Sequence, residues 1–305
     1  MKKFKITFVT AGDENAGSTR QRVYKMSKEL QKRNYSVSIN RDLKHADVLV
    51  FQKSDYNTLK KRFFKYQFTN KFIVFDVDDM YVGEYLNFVK YADLVIAGSQ
   101  YLADFYKQYN KNVAVLDDAL DVIDENIALK QNPNLQNPQL GWFGTTTNLP
   151  ILEKLQINNL KTITRGGDIE WSRETVDYDI QKFDLICIPQ EKTPVGLSKG
   201  NCRMLKTLYL GVPALVSDIP PYVELANLVG YPKEMLVKDS ENWNDKIEKL
   251  KTGEINFDVD FNNVRQKIIE EYSISARTDI WLNIINKAYK KFTVFKHIFK
   301  LLFIR

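Results

Sequence analysis

The feature that most constrains the fold of this chain is a regular alternation of short β-rich apolar runs with longer amphipathic stretches. Parallel sheets require this alternation, because a crossover helix usually returns the chain between two parallel strands. The predicted strands of the first half are KITFVTA (5–11), YSVSIN, ADVLVF, KFIVFD, ADLVIAG and NVAVLDD. Helices are predicted after a cap at Ser18 or Thr19, through 55–68 and through 99–109. This half is therefore predicted to be a doubly wound α/β domain.

The same alternation starts again after residues 124–138, which are rich in Asn, Gln and Pro and which we interpret as a linker. The predicted strands of the second half are LGWFG, LKTIT, FDLICIP, PALVS and MLVKD, with helices near 148–156, 200–210, 220–229, 240–251 and 262–290. A length of 305 residues fits two domains of ~150 residues each. We predict domains at 1–130 and 138–272, followed by a C-terminal helix and tail at 273–305.

Composition indicates the compartment in which the protein works and the kind of partner it binds. No apolar run approaches the ~18 to 20 residues of a membrane span, and the N-terminal run turns polar too early for a signal peptide, so we expect a cytoplasmic protein. Cys187 and Cys202 are too few for a disulfide framework or a zinc site, and we interpret them as packing residues. The formal charge of +6 favours anionic partners. Because Lys and Arg are spread along the chain, we do not expect nucleic acid among them.

One segment carries a specific motif, FDLICIPQEKTPVGLSKGNCRMLKTLYLGVPALVSDIPPYVEL (183–225). A strand ending in Pro189 leads to a loop with Lys199, then to a helix ending in a small-x-Gly-x-Pro pattern at Gly211 and Pro213, then to a strand and a turn. This order resembles the donor-binding segment of GT-B glycosyltransferases, particularly the retaining group called glycosyltransferase group 1. ADLVIAGSQYLADFY with NVAVLDDALD resembles the end of that family's N-terminal domain, and LGWFGTTTN resembles the start of its C-terminal domain.

The resemblance implies a GT-B fold, with two Rossmann-like domains whose parallel sheets face each other across a cleft. It also implies transfer of a sugar from a nucleotide diphosphate sugar to a hydroxyl of a glycan or lipid-linked acceptor, with retention of configuration. The nucleotide sugar is a co-substrate, and no cofactor or metal is expected. Acceptor binding is expected in residues 1–130 and donor binding in residues 138–272.

Two stretches are candidates for holding the donor's phosphates. After LGWFG, the loop Gly144, Thr145 and Thr146 enters a helix, where small residues let backbone N–H groups approach a diphosphate. The alternative is a helix cap without a ligand.

The second stretch is LSKGNCRMLK, where Lys199, Asn201 and Arg203 lie at the start of a helix. Cations are unfavourable at that end of a helix unless an anion binds nearby. The resemblance implies that Lys199 and Arg203 contact the diphosphate and stabilise the leaving group, and the alternative is a solvated surface run.

The chain departs from the family's usual pattern at two glutamates, eight residues apart, that contact the donor. Ser198 and Lys206 occupy those positions. Lys206, Tyr222 of the IPPY turn and Glu224 are therefore our candidates for remaining donor contacts, with a surface position as the alternative for Glu224. The departure also keeps a second function open, a catalytically inactive GT-B-like protein that binds a glycan or nucleotide as a partner subunit.

In the first half, FDVDDMY (75–81) places Asp76, Asp78 and Asp79 after an apolar strand. We expect them to bind acceptor hydroxyls, with Asp78 as the catalytic carboxylate. The alternatives are a divalent metal site and helix capping. The loop after the first strand places Ser18, Thr19, Arg20 and Arg22 at a helix start on the same side. Ser18 and Arg20 are further candidate acceptor-side contacts, with a solvated helix face as the alternative.

A histidine base is not expected, because the two histidines are His45, before a strand, and His297, in the tail. Residues 290–305, KKFTVFKHIFKLLFIR, interleave apolar and basic side chains, a composition typical of helices that lie on anionic lipid. We expect peripheral contact with the inner face of the cell membrane through this tail, with packing or an oligomer contact as the alternative.

Overall fold

A computed structural model of the chain describes residues 3–52, 56–67 and 69–303, with side chains described up to residue 292 except at positions 58 and 67. These residues divide into two compact units. Unit 1 comprises Met1–Ala119, Ser198–Gly200 and Tyr272–Arg305, and unit 2 comprises Leu120–Leu197 and Asn201–Glu271. In the described residues, each unit is built on one six-stranded sheet.

The sheet of unit 1 is parallel throughout and has the strand order β2-β1-β3-β4-β5-β6. Its strands are β1 (Ile6–Val9), β2 (Val37–Ile39), β3 (Val48–Gln52), β4 (Phe72–Val77), β5 (Leu94–Ala97) and β6 (Val113–Val115). All six correspond to predicted strands. The central strands are buried along their whole length because helices cover both faces of the sheet.

Helices alternate with these strands. They are Tyr56–Gln67, Leu86–Tyr91, Gln100–Lys107 and an N-terminal helix at 17–32, made of Gly17–Thr19, a π-helical stretch Arg20–Lys25 and Met26–Lys32. The predicted cap at Ser18 or Thr19 was wrong. The helix begins at Gly17 with Ala16 in the cap position, and the Thr19 hydroxyl donates instead to Gln52 Oε1 at 3.2 Å.

The core of unit 1 has two layers, one on each face of the sheet. Leu49 and Phe51 point to one layer and Val48 and Val50 to the other, as the alternation of side chains along a strand requires. The second layer is completed by the C-terminal helix, Ile274–Phe303, through the fully buried Trp281 and neighbouring apolar residues.

The single helix predicted at 262–290 is two helices in the structure. The predicted helix 262–290 is interrupted at Ser273, whose hydroxyl accepts the N–H of Ala276 at 3.2 Å, and Phe261–Tyr272 precedes the break. The side chains of the predicted membrane tail after Phe292 lie outside the described residues. Within the described part of the chain, we find no helix with the length and apolar character of a membrane span.

The sheet of unit 2 is also parallel and has the order β12-β11-β10-β7-β8-β9. Its strands are β7 (Leu140–Phe143), β8 (Lys161–Thr164), β9 (Ile169–Glu170), β10 (Leu185–Ile188), β11 (Ala214–Ser217) and β12 (Leu236–Val237). The two-residue strand β9 was not predicted, because so short a run carries no periodic pattern. The other five strands were.

The helices of unit 2 are Leu149–Leu155, Val176–Ile180, Pro194–Leu197, Cys202–Tyr209, Pro220–Val229, Trp243–Lys251 and Phe261–Tyr272, the last ending at the boundary with unit 1. Residues 124–138 contain no helix or strand, as expected. They are nevertheless attached to unit 2, since the N–H of Lys130 donates to Leu210 O at 2.9 Å and Ile127 is buried.

Each sheet has one point where the chain reverses the direction in which strands are added. In unit 1 it lies between β1 and β3, and in unit 2 between β7 and β10. Open parallel sheets bind ligands beyond the carboxyl ends of the strands at such a point. The loops after β1 and β3, and those after β7 and β10, are therefore the places to look for a site.

We predict that Trp281→Ala lowers the free energy of unfolding by about 3 to 5 kcal/mol, because it empties a buried aromatic position that packs on Phe8 with ring centroids 6.0 Å apart. Denaturant titration measures this. The matched control is Trp171→Ala, since Trp171 is 39% exposed and its removal should change stability by less than about 0.5 kcal/mol. Equal losses for both variants would contradict this packing of the C-terminal helix.

Candidate functional site

In unit 1, the residues after β1 and the end of β3 meet in a polar cluster. Gln52, the last residue of β3, accepts hydrogen bonds through Oε1 from the hydroxyls of Thr10 at 2.8 Å and Thr19 at 3.2 Å. Gly12 is required in this loop because a Cβ there would lie 2.4 Å from Thr19 Oγ1. The Nε2 of Gln52 is buried, and no residue in the described part of the chain accepts its hydrogen bond. A buried donor without a protein partner is available to an acceptor on a ligand.

A buried arginine lies next to this cluster. Arg22, in the π-helical stretch, donates through Nε to Asp76 Oδ1 at 2.5 Å and through Nη1 to Asp118 Oδ1 at 2.8 Å and Leu116 O at 2.9 Å. The strand register places Asp76 opposite Gln52 at the carboxyl ends of β3 and β4. Arg22 therefore ties the N-terminal helix to the ends of β4 and β6.

The charges of this network explain its titration. Burial alone would lower the pKa of Arg22, but the carboxylates of Asp76 and Asp118 raise it above its ordinary value. Burial raises the pKa of Asp76, and the ion pair with Arg22 acts in the opposite direction. Both side chains are only 3% exposed, so removing Arg22 would leave the buried carboxylate of Asp76 unpaired, which typically costs about 3 to 5 kcal/mol.

The loop after β4 carries the other two predicted aspartates. Asp78 and Asp79 directly follow the strand, and the hydroxyl of Tyr106 fixes the loop by donating to Asp79 O at 3.0 Å and accepting the N–H of Tyr81 at 2.9 Å. The segment Ser198–Gly200, which groups with unit 1, brings Lys199 Nζ to 2.6 Å from Asp79 Oδ1. Both members of this pair are partly exposed, at 39% and 31%, so solvent screens their attraction.

Ser18 and Arg20 are placed differently from each other. Arg20 is buried, and its Nη1 donates to the carbonyl oxygens of Glu14 at 2.7 Å and Asn15 at 3.2 Å. Its guanidinium therefore holds the loop after β1 in shape. Ser18 is half-buried on the same turn.

In unit 2, the loop after β7 matches its predicted position. A Cβ on Gly144 would lie 2.7 Å from the indole ring of Trp142, so a larger residue at this position would clash with the ring. Thr145 and Thr146 are exposed, and the Thr145 hydroxyl is 2.8 Å from that of Thr147. A short 3₁₀ turn connects this loop to the helix Leu149–Leu155.

The loop after β10 holds the strongest candidate side chain of unit 2. Arg203, in the first turn of the helix Cys202–Tyr209, donates through Nη2 to Gln190 Oε1 at 2.9 Å. Its guanidinium lies near the buried Tyr222, where burial raises the pKa of the Tyr222 hydroxyl and the charge of Arg203 opposes that rise. The N–H of Gln190 donates to Ser217 Oγ at 2.8 Å, which links the loops after β10 and β11. The Nη1 of Arg203 is buried and has no hydrogen-bond partner among the residues that the structure describes.

The remaining predicted donor residues of unit 2 have different surroundings. Lys206 Nζ forms an ion pair at 2.7 Å with Asp177, which is fully buried and also accepts the N–H of Ile123. Asn201 is buried at the start of the same helix, whereas Glu224 is exposed on the helix Pro220–Val229. The structure thus brings together Arg203 and Tyr222, and it places Lys206 in an internal ion pair.

Four residues of these clusters are missing from the predicted site: Gln52, Tyr106, Asp118 and Gln190. Three of them end or follow a strand, so the rule that identified Asp76 would have found Gln52, Asp118 and Gln190 as well. Among the described residues, no group of three or more His, Cys, Asp or Glu side chains has an arrangement that could hold a metal ion.

Among known proteins, only solved structures are similar to this chain. No protein-family model and no curated protein matches the sequence. Among solved structures, the chain is similar to sucrose-phosphate synthase from Thermosynechococcus elongatus, with a TM-score of 0.66 and 10% identity over 94% of this chain and 100% of that chain. It is also similar to HepE from Anabaena in complex with UDP and glucose, with a TM-score of 0.61 and 12% identity over 93% and 100% of the two chains.

A third similar structure is the lipopolysaccharide outer core galactosyltransferase WaaB, with a TM-score of 0.56 and 10% identity over 93% of this chain and 99% of that one. At identities this low, the structural similarity establishes a shared fold alone. The two parallel six-stranded sheets with flanking helices are the architecture that these structures have in common with the chain. The chain therefore has the GT-B fold, the fold of the glycosyltransferases among these structures.

Proposed function

We propose that the protein is a glycosyltransferase that moves a sugar from a nucleotide diphosphate sugar to a hydroxyl of a glycan or lipid-linked acceptor, with retention of configuration. Unit 2 binds the donor and unit 1 binds the acceptor. The nucleotide sugar is consumed as a substrate, and no cofactor takes part.

The observation that carries this proposal is the buried, unpartnered Nη1 of Arg203. An unsatisfied buried donor costs about 1 to 3 kcal/mol, and more when the group is charged. The side chain is held in this position by its hydrogen bond to Gln190 and lies beside the buried Tyr222, at the strand edge where the fold binds ligands. A phosphate oxygen satisfies such a donor through a short charge-assisted hydrogen bond.

Departure of the nucleotide leaves additional negative charge on its terminal phosphate. Arg203 stabilises this charge in the transition state, and Lys199, four residues earlier in the chain, acts with it. The departing phosphate then accepts the proton of the acceptor hydroxyl, so the reaction depends on positioned cations and needs no histidine base.

The other predicted donor residues complete the site. Gly144, Thr145 and Thr146 offer backbone N–H groups and hydroxyls to the diphosphate. Asn201, Lys206, Tyr222 and Glu224 contact the rest of the donor, with Tyr222 lying beside Arg203, and Lys206 reaching the donor only if its ion pair with Asp177 rearranges.

On the acceptor side, the contacts of the aspartates suggest different tasks. Asp76 is buried against Arg22 and shapes the site, and Asp79 forms the ion pair with Lys199. We assign the orientation of the acceptor hydroxyl to Asp78, which lies between them in the chain, directly after β4. Ser18 and Arg20 border the same strand edge, where Arg20 keeps the loop after β1 in place.

A second candidate function rests on a specific observation. The position of one usual donor glutamate is taken by Lys206, which is engaged with a fully buried carboxylate. This favours the alternative of a GT-B-like protein that binds a glycan or nucleotide without turnover. Peripheral contact with an anionic membrane through residues 290–305 remains a further part of the proposal, and a lipid-linked acceptor would make it useful.

We predict that the protein releases nucleotide from at least one member of a panel of nucleotide sugars when acceptors are supplied. Lys199→Ala and Arg203→Ala should each lower kcat/KM for the donor by about 10- to 1000-fold, because each removes a cation that contacts phosphate. Arg203→Lys should recover only part of the loss, since Lys lacks the fork that bonds Gln190 and the phosphate together.

The matched control is Lys233→Ala, an exposed cation in the turn before β12, which should keep wild-type turnover. Thermal melting checks that all variants are folded. Wild-type turnover by both Ala variants would show that the phosphate assignment is wrong. Donor binding without nucleotide release across the whole panel would favour the inactive binding protein.

We predict that turnover needs no divalent metal, because helix ends and cations carry out the charge stabilisation for which other transferases use a metal ion. Excess chelator should leave the initial rate within about twofold of the untreated value. Loss of activity that added Mg²⁺ or Mn²⁺ restores would contradict this and would assign Asp76, Asp78 and Asp79 a ligand role.

A further inference from the structure

Unit 1 also contains a groove, away from the candidate site residues described above. It has a volume of about 820 Å³ and lies between the C-terminal helix and the β4, β5 and β6 side of the sheet. Phe72, Leu94 and Val113, the first residues of these three strands, line it. The groove therefore lies at the amino edge of the sheet, and the aspartates and Gln52 lie at the carboxyl edge.

Four lysines line this groove. Lys90 lies in the last turn of the helix Leu86–Tyr91, Lys111 precedes β6, and Lys287 and Lys291 lie one turn apart on the C-terminal helix. All four are exposed, and none forms an ion pair with another residue in the described part of the chain. The acidic side chain of the lining is Asp93, which accepts the N–H of Ile73 at 2.8 Å.

This arrangement is unfavourable without a ligand. Like charges one turn apart destabilise a helix, and four ammonium groups around one concavity repel one another. An anion in the groove would reverse the sign of these interactions. The charge pattern therefore indicates an acidic occupant.

The floor of the groove shows what else the occupant carries. It is formed by Leu94, Ala114, Ile284, Ala288 and Phe292, whose side chains are apolar and buried or half-buried. A free phosphate or a nucleotide would leave this apolar surface unused. An acidic headgroup followed by hydrocarbon satisfies both the lysines and the floor.

We propose that this groove binds an anionic phospholipid at a membrane surface, with the headgroup phosphate on the lysines and the upper acyl chain on the apolar floor. The groove includes the first residues of the tail, Lys291 and Phe292, but it differs from a tail-only membrane contact because Lys90 and Lys111 belong to its sheet side. It also does not depend on the proposed glycosyl transfer, since lipid binding is measured without turnover.

The test is sedimentation of the full chain with vesicles of phosphatidylcholine containing phosphatidylglycerol, at low salt. Lys90→Gln/Lys111→Gln should lower the partition constant by about 30-fold, at the strength typical of a lysine near an anionic surface. The charge-matched control, Lys161→Gln/Lys233→Gln, removes two exposed cations of unit 2 and should change it by less than about threefold. Neutral phosphatidylcholine vesicles should sediment little protein.

Three outcomes would overturn the proposal. Wild-type partitioning of the groove variant would assign any membrane binding to the tail. Equal binding to neutral vesicles would show that charge is not recognised. Full displacement of the protein by millimolar inorganic phosphate, at constant ionic strength, would identify a site for free anions. Persistence of binding in phosphate, together with the loss in the groove variant alone, supports the lipid site.

Discussion

Both units of this protein depend on one constraint, the parallel pairing of all strands in a sheet. Parallel strands bring all their carboxyl ends to one edge, and helices must return the chain along the faces. In each unit the candidate site residues lie at that edge, close to the point where the strand order reverses. The same constraint separates this edge from the lysine-lined groove, which lies at the amino ends of β4, β5 and β6.

The two arginines at these edges differ in how far their hydrogen bonds are satisfied. Arg22 is neutralised inside unit 1 by Asp76 and Asp118, so its contribution is to hold the N-terminal helix against the strand ends. Arg203 is held by an uncharged partner, Gln190, and keeps a buried N–H group without an acceptor among the described residues. An arginine that is positioned but has no neutralising carboxylate is suited to bind an anion, and this contrast supports the proposed phosphate-binding role of Arg203.

Much of the fold could be predicted from the sequence because its signals are local. Apolar runs such as FIVFDV and LICI are buried on both faces and bounded by polar turns, so they identify central strands without further information. The strand-end rule likewise placed Asp76 and the loop at Gly144. The helix start at Gly17 was missed because the hydroxyl of Thr19 bonds Gln52, a residue distant in sequence.

The network around Arg22 could not be read from the chain for the same reason. Its partners Asp76 and Asp118 are 54 and 96 residues away, and no periodicity connects residues at such separations. The π-helical stretch that buries four consecutive residues, Arg20 to Val23, has no pattern that distinguishes it from an α-helix. The pairing of Lys206 with Asp177 is a third example, since a lysine in an amphipathic helix is usually solvated.

The proposed glycosyl transfer requires unit 2 to bind a nucleoside diphosphate at the carboxyl edge of its sheet. Hydrogen exchange of the full chain, measured with and without saturating UDP and then with other nucleoside diphosphates, tests it most directly. We expect slower exchange in 144–148, 190–205 and 217–223, with no change in the groove between the C-terminal helix and β6. Unchanged exchange in these loops with every nucleotide, or protection confined to another face of unit 2, would contradict it.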